Sequence, residues 1–438
     1  MKENKKISFV SLGCSKNQVD LEYLIGAVQA EDFTITNIPE ESDAIVINTC
    51  GFIAPAVEEA IENILEMNSR KKDGAKLIVT GCMSERYGGE ITKEIPEIDF
   101  YTGVGELHKV INYLNGTDAP VEHYGSSRVI TNAHYYAYLK ISEGCNNKCS
   151  YCAIPGIRGG LVSRKIEEVI DEAASLVKGG IKELIVISQD NTKYGTDIYG
   201  ETKIVELLKK LEQIEGDFRI RVMYMNPDGV TSELVQTICE SSKILSYFDI
   251  PVQHYSDKML KLMKRKSDSK TIDRVFDSIR KADPESFIRT TGIVGFPGEE
   301  ADDFAELEKF LTRHKPDFAG FFPYSKEVGT AAYSFGEPVG KRETNKRIKA
   351  LQKLQKTNTN NRLKILKKND IICFVEGVSD QSDLILEGRA EFQAPEIDGK
   401  AYFIDGVAAE GYGPYKCRIK RIIYPDIYCE ILTNQGDT

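Results

Sequence analysis

The chain has 438 residues, of which 41% are hydrophobic and 28% are charged, a composition typical of globular proteins and unlike that of disordered ones. Its net charge is −10, whereas nucleic-acid-binding proteins are usually basic. No apolar run approaches the length of a membrane span, and the first residues lack the features of a secretory signal. We therefore expect a cytoplasmic protein that does not enter a membrane.

Residues 1–130 alternate between strand and helix patterns. Strands are predicted at 7–12, 44–49 and 76–80, and helices at 20–31 and 55–67. Such alternation is typical of a parallel sheet covered by helices, so we expect an open parallel α/β domain here.

A cysteine follows each of these three strands, namely Cys14, Cys50 and Cys82, and each stands beside a glycine. In an open α/β sheet the ligand crevice lies outside the carboxyl ends of the strands. Three buried core thiols are the plainer interpretation, since free cysteine often behaves as a small apolar residue. Because all three fall at strand ends, a shared metal site is favoured.

Residues 131–369 show a longer alternation that predicts a partial (βα)6 barrel of the TIM type, with its site at the carboxyl ends of the strands. The strand candidates are 137–142, 183–188, 219–225, 247–253, 287–296 and 318–324. His254 follows the fourth of these strands, where a functional role and a packing role are both open. The basic run 341–369 is interpreted as a solvated connecting helix, with a nucleic-acid patch as the alternative.

Residues 370–438 contain short apolar runs separated by Gly and Pro, which predict a small antiparallel β-barrel. This segment has 13 Asp and Glu against 6 Lys and Arg, a balance of −7. Such a charge suits a basic partner better than phosphates. Four further thiols show no ligand spacing and are expected in cores: Cys239, Cys373, Cys417 and Cys429.

The most informative motif follows the first barrel strand, where Cys145, Cys149 and Cys152 are spaced CxxxCxxC. Structural zinc sites usually have four protein ligands, and no second pair follows here. Iron–sulfur clusters are held by cysteine thiolates, and three thiolates leave one iron of a cubane open. At this position in a βα barrel, the motif resembles that of the radical S-adenosylmethionine (SAM) enzymes.

That resemblance implies a 4Fe-4S cluster on the three cysteines, whose open iron binds the amino and carboxylate groups of SAM. Reduction of the cluster then cleaves SAM and yields a 5′-deoxyadenosyl radical. By position, Tyr151 matches the residue whose backbone meets the adenine, and Gln189 lies in the loop that contacts the SAM amino group. The run GIVGFPGE at 292–299, which includes Gly295 and Pro297, is similar to a turn near the adenine. Alone, this run also fits an ordinary strand-to-helix turn.

The three-part layout narrows the resemblance to the methylthiotransferases. In that family the N-terminal thiols hold a second 4Fe-4S cluster, which by position implies Cys14, Cys50 and Cys82 as its ligands. One SAM donates a methyl group to a sulfur on this cluster, and a second SAM supplies the radical that activates the substrate carbon. The implied domains are 1–130 with the second cluster, 131–369 as the radical SAM domain, and 370–438 as a TRAM-like substrate-binding barrel.

Two branches of this family compete. One modifies a tRNA adenosine, and the other modifies the β-carbon of an aspartate in small-subunit ribosomal protein twelve. The ribosomal branch is favoured by GCSKNQVD at 13–20, LKISEGC at 139–145, APEIDG at 394–399 and the acidic barrel. Ser15 stands where many members have proline, at a loop position.

The ribosomal branch implies a basic ribosomal protein as partner and a low-potential electron donor such as flavodoxin, with tRNA as the weaker alternative. A non-catalytic metal protein is the third hypothesis, and it ranks last because an electron carrier has no use for an open iron. The sequence identifies no general acid or base.

Overall fold

The computed structural model of the protein describes residues 5–117, 128–132, 135–408 and 411–432. Within these ranges, no helix is long and apolar enough to cross a bilayer. The described residues form a five-stranded parallel sheet, an open barrel of six parallel strands and a closed five-stranded barrel, in chain order. The α/β fold class expected from the sequence is confirmed.

The N-terminal sheet has the strand order β2-β1-β3-β4-β5, and all neighbouring strands are parallel. Apolar side chains fill both faces of the central strands, Val46 and Ile78 on one face and Ile47 and Val79 on the other, because helices cover both sides. The elements are β1 (Lys6–Ser11), α1 (Ser15–Ala30), β2 (Thr34–Ile35), β3 (Ala44–Thr49), α2 (Ala54–Arg70), β4 (Lys76–Gly81), α3 (Cys82–Glu94), β5 (Phe100–Tyr101) and α4 (His108–Asn115).

The central part contains the six predicted barrel strands and the helices between them. Its elements are β6 (Tyr136–Lys140), β7 (Ser142–Glu143), α5 (Ile154–Ile157), β8 (Val162–Ser163), α6 (Ile166–Lys178), β9 (Glu183–Ile187), α7 (Ile204–Glu212), β10 (Arg219–Val222), α8 (Ser232–Glu240), β11 (Tyr247–Asp249), α9 (Asp257–Leu262), α10 (Ser269–Ala282), β12 (Phe287–Val294), α11 (Ala301–His314), β13 (Phe318–Pro323) and α12 (Lys341–Leu366).

The six long strands lie side by side in chain order. Strands β6, β9 and β10 form one parallel group, and β11, β12 and β13 form another. A parallel bridge between Ile220 and Ile244 joins the two groups. Within the described residues β6 does not pair with β13, so the barrel is open.

The basic helix α12 is a connecting helix, as the sequence favours. One face packs on α11 and β13 through Ile348, Leu351 and Leu363. Two of its arginines, Arg347 and Arg362, pair with acidic residues of the barrel. The other lysines and arginines of α12 lie on its exposed face.

The C-terminal barrel is closed, with the strand order β14-β15-β16-β18-β17. Its elements are β14 (Asp370–Ser379), β15 (Ser382–Ala390), β16 (Ala401–Asp405), β17 (Tyr415–Ile423) and β18 (Asp426–Ile431). Four neighbouring pairs are antiparallel, as expected, but β16 and β18 are parallel. The pair of β16 and β18 differs from the prediction of a wholly antiparallel barrel. The chain reverses its direction in β17 and again in β18, so β18 runs in the same direction as β16.

The closed barrel packs on the amino ends of the six parallel strands. Glu183, the first residue of β9, lies 2.6 Å from Arg221 Nε and 2.7 Å from Arg389 Nη2 of the closed barrel. Phe287 at the start of β12 stacks on Phe392, with ring centroids 4.6 Å apart. Burial by itself raises the pKa of Glu183, but the two arginines outweigh it and hold that pKa below its ordinary value. The closed barrel therefore contacts the central barrel through buried ion pairs and stacked aromatic rings.

Replacing Glu183 with Gln is expected to lower the free energy of unfolding by about 3–5 kcal/mol, because it leaves two buried guanidinium groups without their shared carboxylate. Urea unfolding followed by circular dichroism measures the change. The matched control is Glu233→Gln, which breaks the exposed pair with Lys209 and should cost less than about 1 kcal/mol. Equal losses of unfolding free energy in the two variants would contradict the claim that the buried ion pairs of Glu183 stabilise the protein more than an exposed pair does.

Candidate metal and cofactor site

The three N-terminal cysteines meet at one edge of the sheet. Strands β1, β3 and β4 are neighbours and run in the same direction, so the residues that follow them emerge together. Cys14 is the N-cap of α1, Cys50 follows β3, and Cys82 is the first residue of α3. Cys14 lies close enough to the other two thiols for its charge to contribute to the raised pKa values of Cys50 and Cys82.

Gly13 allows the turn before Cys14 to approach Cys50. Its φ of +103° lies in the region that favours glycine, and a Cβ there would be 2.9 Å from the Cys50 Cβ. Any larger residue would push the first thiol away from the second. Glycine is therefore required before Cys14 because the chain passes so close to Cys50.

Burial raises the pKa values of the Cys50 and Cys82 thiols, that of Cys82 to about 11. Such thiols stay protonated at neutral pH unless a cation stabilises the thiolate, and metal coordination does so by deprotonating them. Cys82 Sγ also accepts a hydrogen bond from Arg158 Nε at 3.3 Å, which favours the thiolate.

Arg158 links the N-terminal sheet edge to the barrel. Besides Cys82, its guanidinium donates to Asn17 Oδ1 of α1, and its Nη1 lies 2.8 Å from Glu143 Oε2 of the barrel. Only 6% of the residue is exposed. Sequence reasoning missed Arg158, because it lies in a loop with no periodic signal and its partners are distant in the chain.

The second trio lies in the loop after β7. Burial raises the pKa values of Cys145 and Cys152, that of Cys152 to about 12. The Asn147 N–H donates to Cys145 Sγ at 3.4 Å, and Arg265 Nη1 lies 3.8 Å from Cys149 Sγ. Hydrogen bonds of this kind stabilise thiolate ligands of iron–sulfur clusters.

The two trios are close neighbours. Cys82 packs in one apolar cluster with Ala153 and Ile157, the first of which directly follows Cys152. Helix α3, which starts at Cys82, also contacts α5 of the barrel. The carboxyl edge of the N-terminal sheet therefore faces the carboxyl end of the barrel.

Both trios consist of thiols alone. In a cubane each thiolate binds a different iron. The donors are all thiols, the ligands that iron–sulfur clusters prefer.

Gln189, expected to contact SAM, follows β9 at the carboxyl end of the barrel. Its Nε2 donates to Glu143 Oε1 at 2.8 Å, whereas its buried Oε1 has no hydrogen-bond partner among the described residues. An unpartnered buried carbonyl oxygen is costly. An ammonium donor such as the amino group of SAM would satisfy it.

Tyr151 and the turn at 292–299 are brought together, although they are far apart in the chain. Tyr151 packs in one apolar cluster with Met263 and Phe296 of that turn. The Gly295 N–H donates to Glu299 Oε2 at 2.6 Å, and Glu299 pairs with Arg347. Pro297 is buried in the same turn. The turn is thus an internally bonded strand-to-helix connection that lies beside the second trio's loop.

Three of the four cysteines outside the trios are core thiols, as expected, and they lie together. Cys373, Cys417 and Cys429 are fully buried in the closed barrel. Burial, together with hydrogen bonds to the other two thiols, raises the pKa of Cys373. Cys239 is half-buried near Ser246.

His254 is held by the backbone at Nδ1, whereas its buried Nε2 has no hydrogen-bond partner among the described residues. Its Nδ1 accepts the backbone N–H groups of Tyr255 and Ser256 at 2.9 and 3.0 Å, and the side chain is fully buried. Burial lowers the pKa of His254 to about 3, so the ring is neutral at pH 7.

Two family models match the chain. Residues 6–103 match a family described as "Uncharacterized protein family UPF0004", and residues 139–311 match the radical SAM superfamily. The first covers the N-terminal sheet and its three cysteines, and the second covers the barrel and the CxxxCxxC loop.

Several full-length relatives carry the name ribosomal protein uS12 methylthiotransferase RimO. That of Aquifex aeolicus is 44% identical over 91% of this chain and 90% of its own length. That of Alkaliphilus oremlandii is 40% identical over 98% and 99% of the two chains. A third, from Acetivibrio thermocellus, is 42% identical over 91% and 92%.

Solved structures share the fold at low identity. The radical SAM methyltransferase TsrM from Kitasatospora setae, with cobalamin and a [4Fe-4S] cluster bound, superposes with a TM-score of 0.55 at 15% identity and covers 73% of this chain and 75% of its own. The cobalamin-dependent SAM radical enzyme OxsB gives a TM-score of 0.52 at 12% identity, over 80% of this chain and 56% of its own.

His254→Asn is expected to weaken the acid sensitivity of the fold. The folded-state pKa of about 3 lies below the ordinary 6.5, so the unfolded chain binds the extra proton first as the pH falls. His254 therefore contributes stability above pH 6.5 that is lost progressively toward pH 3, about 2 kcal/mol of it between pH 7 and pH 5. Asparagine keeps an acceptor for the two N–H groups and removes the titration.

Urea unfolding at pH 7 and pH 5 measures the difference. The variant should lose about 2 kcal/mol less than the parent protein over this interval. An identical loss in both proteins would show that the ring does not control this part of the pH dependence.

Proposed function

This chain belongs to the RimO family of ribosomal protein uS12 methylthiotransferases, and we propose that it inserts a methylthio group at the β-carbon of an aspartate in uS12. It is a radical SAM enzyme that transfers a sulfur-containing group. The proposal rests on one observation above all: two separate cysteine trios lie side by side between facing sheet edges. A reaction that needs both a radical and a sulfur source requires such a pair of neighbouring sites.

Cys145, Cys149 and Cys152 would hold the 4Fe-4S cluster that binds SAM. Cys14, Cys50 and Cys82 would hold a second one. When bound, these groups supply a hydrogen-abstracting 5′-deoxyadenosyl radical from one SAM and a sulfur that is methylated by another. The unpaired Oε1 of Gln189 would accept the SAM amino group, and Tyr151 with the turn of Gly295 and Pro297 would flank the adenine.

The protein's own arginines position the two sets of thiols. Arg265 lies against Cys149 and also donates to Pro251 O at 2.9 Å, so its guanidinium is fixed in place. Arg158 is fixed in the same way by Glu143 and Asn17 and donates to Cys82. Each would stabilise the negative charge of its thiolate and exclude water from it.

We propose that the domains are 1–130, 131–369 and 370–438, and that the last recognises the substrate. It has an acidic balance, and Asp380, Asp383 and Asp405 form no ion pair within the described ranges, so they are available to a basic ribosomal protein. The protein would act in the cytoplasm, and a low-potential donor such as flavodoxin would supply the electrons.

Removal of one thiol from each trio should separate the two roles. Cys149→Ala is expected to abolish SAM cleavage, because the SAM-binding cluster loses a ligand. Cys50→Ala should retain SAM cleavage but stop methylthio transfer. Each variant should lose about half of the iron bound after anaerobic reconstitution.

Iron analysis, 5′-deoxyadenosine formation and mass spectrometry of uS12 provide the measurements. Cys239→Ala removes a half-buried thiol outside both trios and should match the parent protein in all three. Methylthio product from the Cys50 variant would contradict the role proposed for the N-terminal trio.

Feeding methyl-labelled SAM to cells distinguishes the protein substrate from RNA. Cells that express the chain in a background lacking other methylthiotransferases should carry methylthio label in uS12 and no methylthio label in tRNA, whose ordinary methylated nucleosides are separated by mass spectrometry. The comparison strain expresses Cys149→Ala and should show no methylthio label in either fraction. Label confined to tRNA would overturn the proposed substrate.

A further inference from the structure

Lys16 lies between the edge of the N-terminal sheet that carries the first trio and the carboxyl end of the barrel. It is two residues beyond Cys14, in the first turn of α1, and only 8% of the residue is exposed. Its Nζ lies 3.4 Å from the centroid of the Tyr224 ring, which follows β10 at the carboxyl end of the barrel. The side chain therefore reaches from the N-terminal sheet edge to the barrel.

The ammonium of Lys16 has no anionic partner. Within residues 5–117, 128–132, 135–408 and 411–432, no carboxylate is within ion-pair distance of its Nζ, and the nitrogen makes no hydrogen bond there. Its cationic neighbours differ, since Lys140 and Arg158 both pair with Asp20 and Glu143. Lysine is almost never buried unless it is paired.

The aromatic ring does not replace an ionic partner. An ammonium over a ring is attracted by the ring's quadrupole, but the attraction is weaker than that of a carboxylate at the same distance. The Tyr224 backbone is fixed with φ of +52°, and its N–H donates to Asp249 Oδ2 at 2.9 Å. Tyr224 thus acts as a rigid platform that aims the ammonium and leaves its remaining directions free for an anion.

We propose that Lys16 binds the side-chain carboxylate of the aspartate that is modified. This inference rests on the proposed function. The substrate carbon must meet both the radical and the sulfur source, so it lies between the two trios, and Lys16 lies between the sheet edge and the barrel end that carry them. In aspartate the β-carbon is bonded to the carboxylate carbon, so an ammonium that fixes the carboxylate also fixes the carbon that reacts. Lys16 would then select aspartate over asparagine, because the amide carries no charge.

Two other anions would be within the reach of an ammonium at this position. One is the carboxylate of SAM, and the other is the negative charge of a cluster on the N-terminal thiols. The first predicts that loss of Lys16 weakens SAM binding, and the second predicts that it lowers the iron content. The proposed role predicts neither.

The experiment compares the affinities of uS12 and of uS12 with asparagine at the modified position for the reconstituted enzyme, measured anaerobically by fluorescence anisotropy. The parent protein should bind the aspartate form at least about tenfold more tightly, as expected for a desolvated charge pair. In Lys16→Met and Lys16→Gln the ratio should fall to about 1, and Lys16→Arg should keep part of it. Lys309→Met removes an equal charge from an exposed pair and should keep the full ratio.

Iron content, circular dichroism and the SAM dissociation constant are measured on each variant. The proposal is overturned if the parent shows no preference for aspartate, if both neutral variants keep it, if they bind SAM more weakly, or if they lose iron. These results are separate from failure of the proposed function, which would appear as a parent enzyme that does not transfer a methylthio group to uS12 at all.

Discussion

Two sets of parallel strands end face to face, and the buried guanidinium of Arg158 holds them in that arrangement. It joins Asn17 and Cys82 of the N-terminal part to Glu143 of the barrel. A buried charge of this kind is stable only with all its partners in place. The spacing of the two thiol trios therefore depends on one set of hydrogen bonds that spans the chain.

The opposite end of the barrel is closed by other means. The ionic layer around Glu183 and the stacked rings of Phe287 and Phe392 seal the amino ends of the strands against the C-terminal barrel. The cysteine loops are at the other end. Under the proposed role of the C-terminal barrel, uS12 must extend past the central barrel to reach the cysteine loops.

The basic residues near the two cysteine trios differ in the groups that they contact. Lys140 is neutralised by Asp20 and Glu143, whereas Arg158 pairs with the same two carboxylates and also donates to Cys82. Arg265 lies against a thiol, and Lys16 lies against a ring. Basic residues that look alike in the sequence thus have different roles because their surroundings differ.

The sequence alone determined the fold class, the three cysteines at strand ends and the CxxxCxxC loop, because periodicity and short spacing are local properties of the chain. It also favoured the core position that Cys373, Cys417 and Cys429 have, whereas Cys239 is only half-buried. Only the tertiary structure decided that β16 and β18 run parallel, that the His254 ring is buried and neutral, and that Arg158 contacts Cys82. These contacts join residues far apart in sequence, and their energies depend on burial and on partners that no local pattern records.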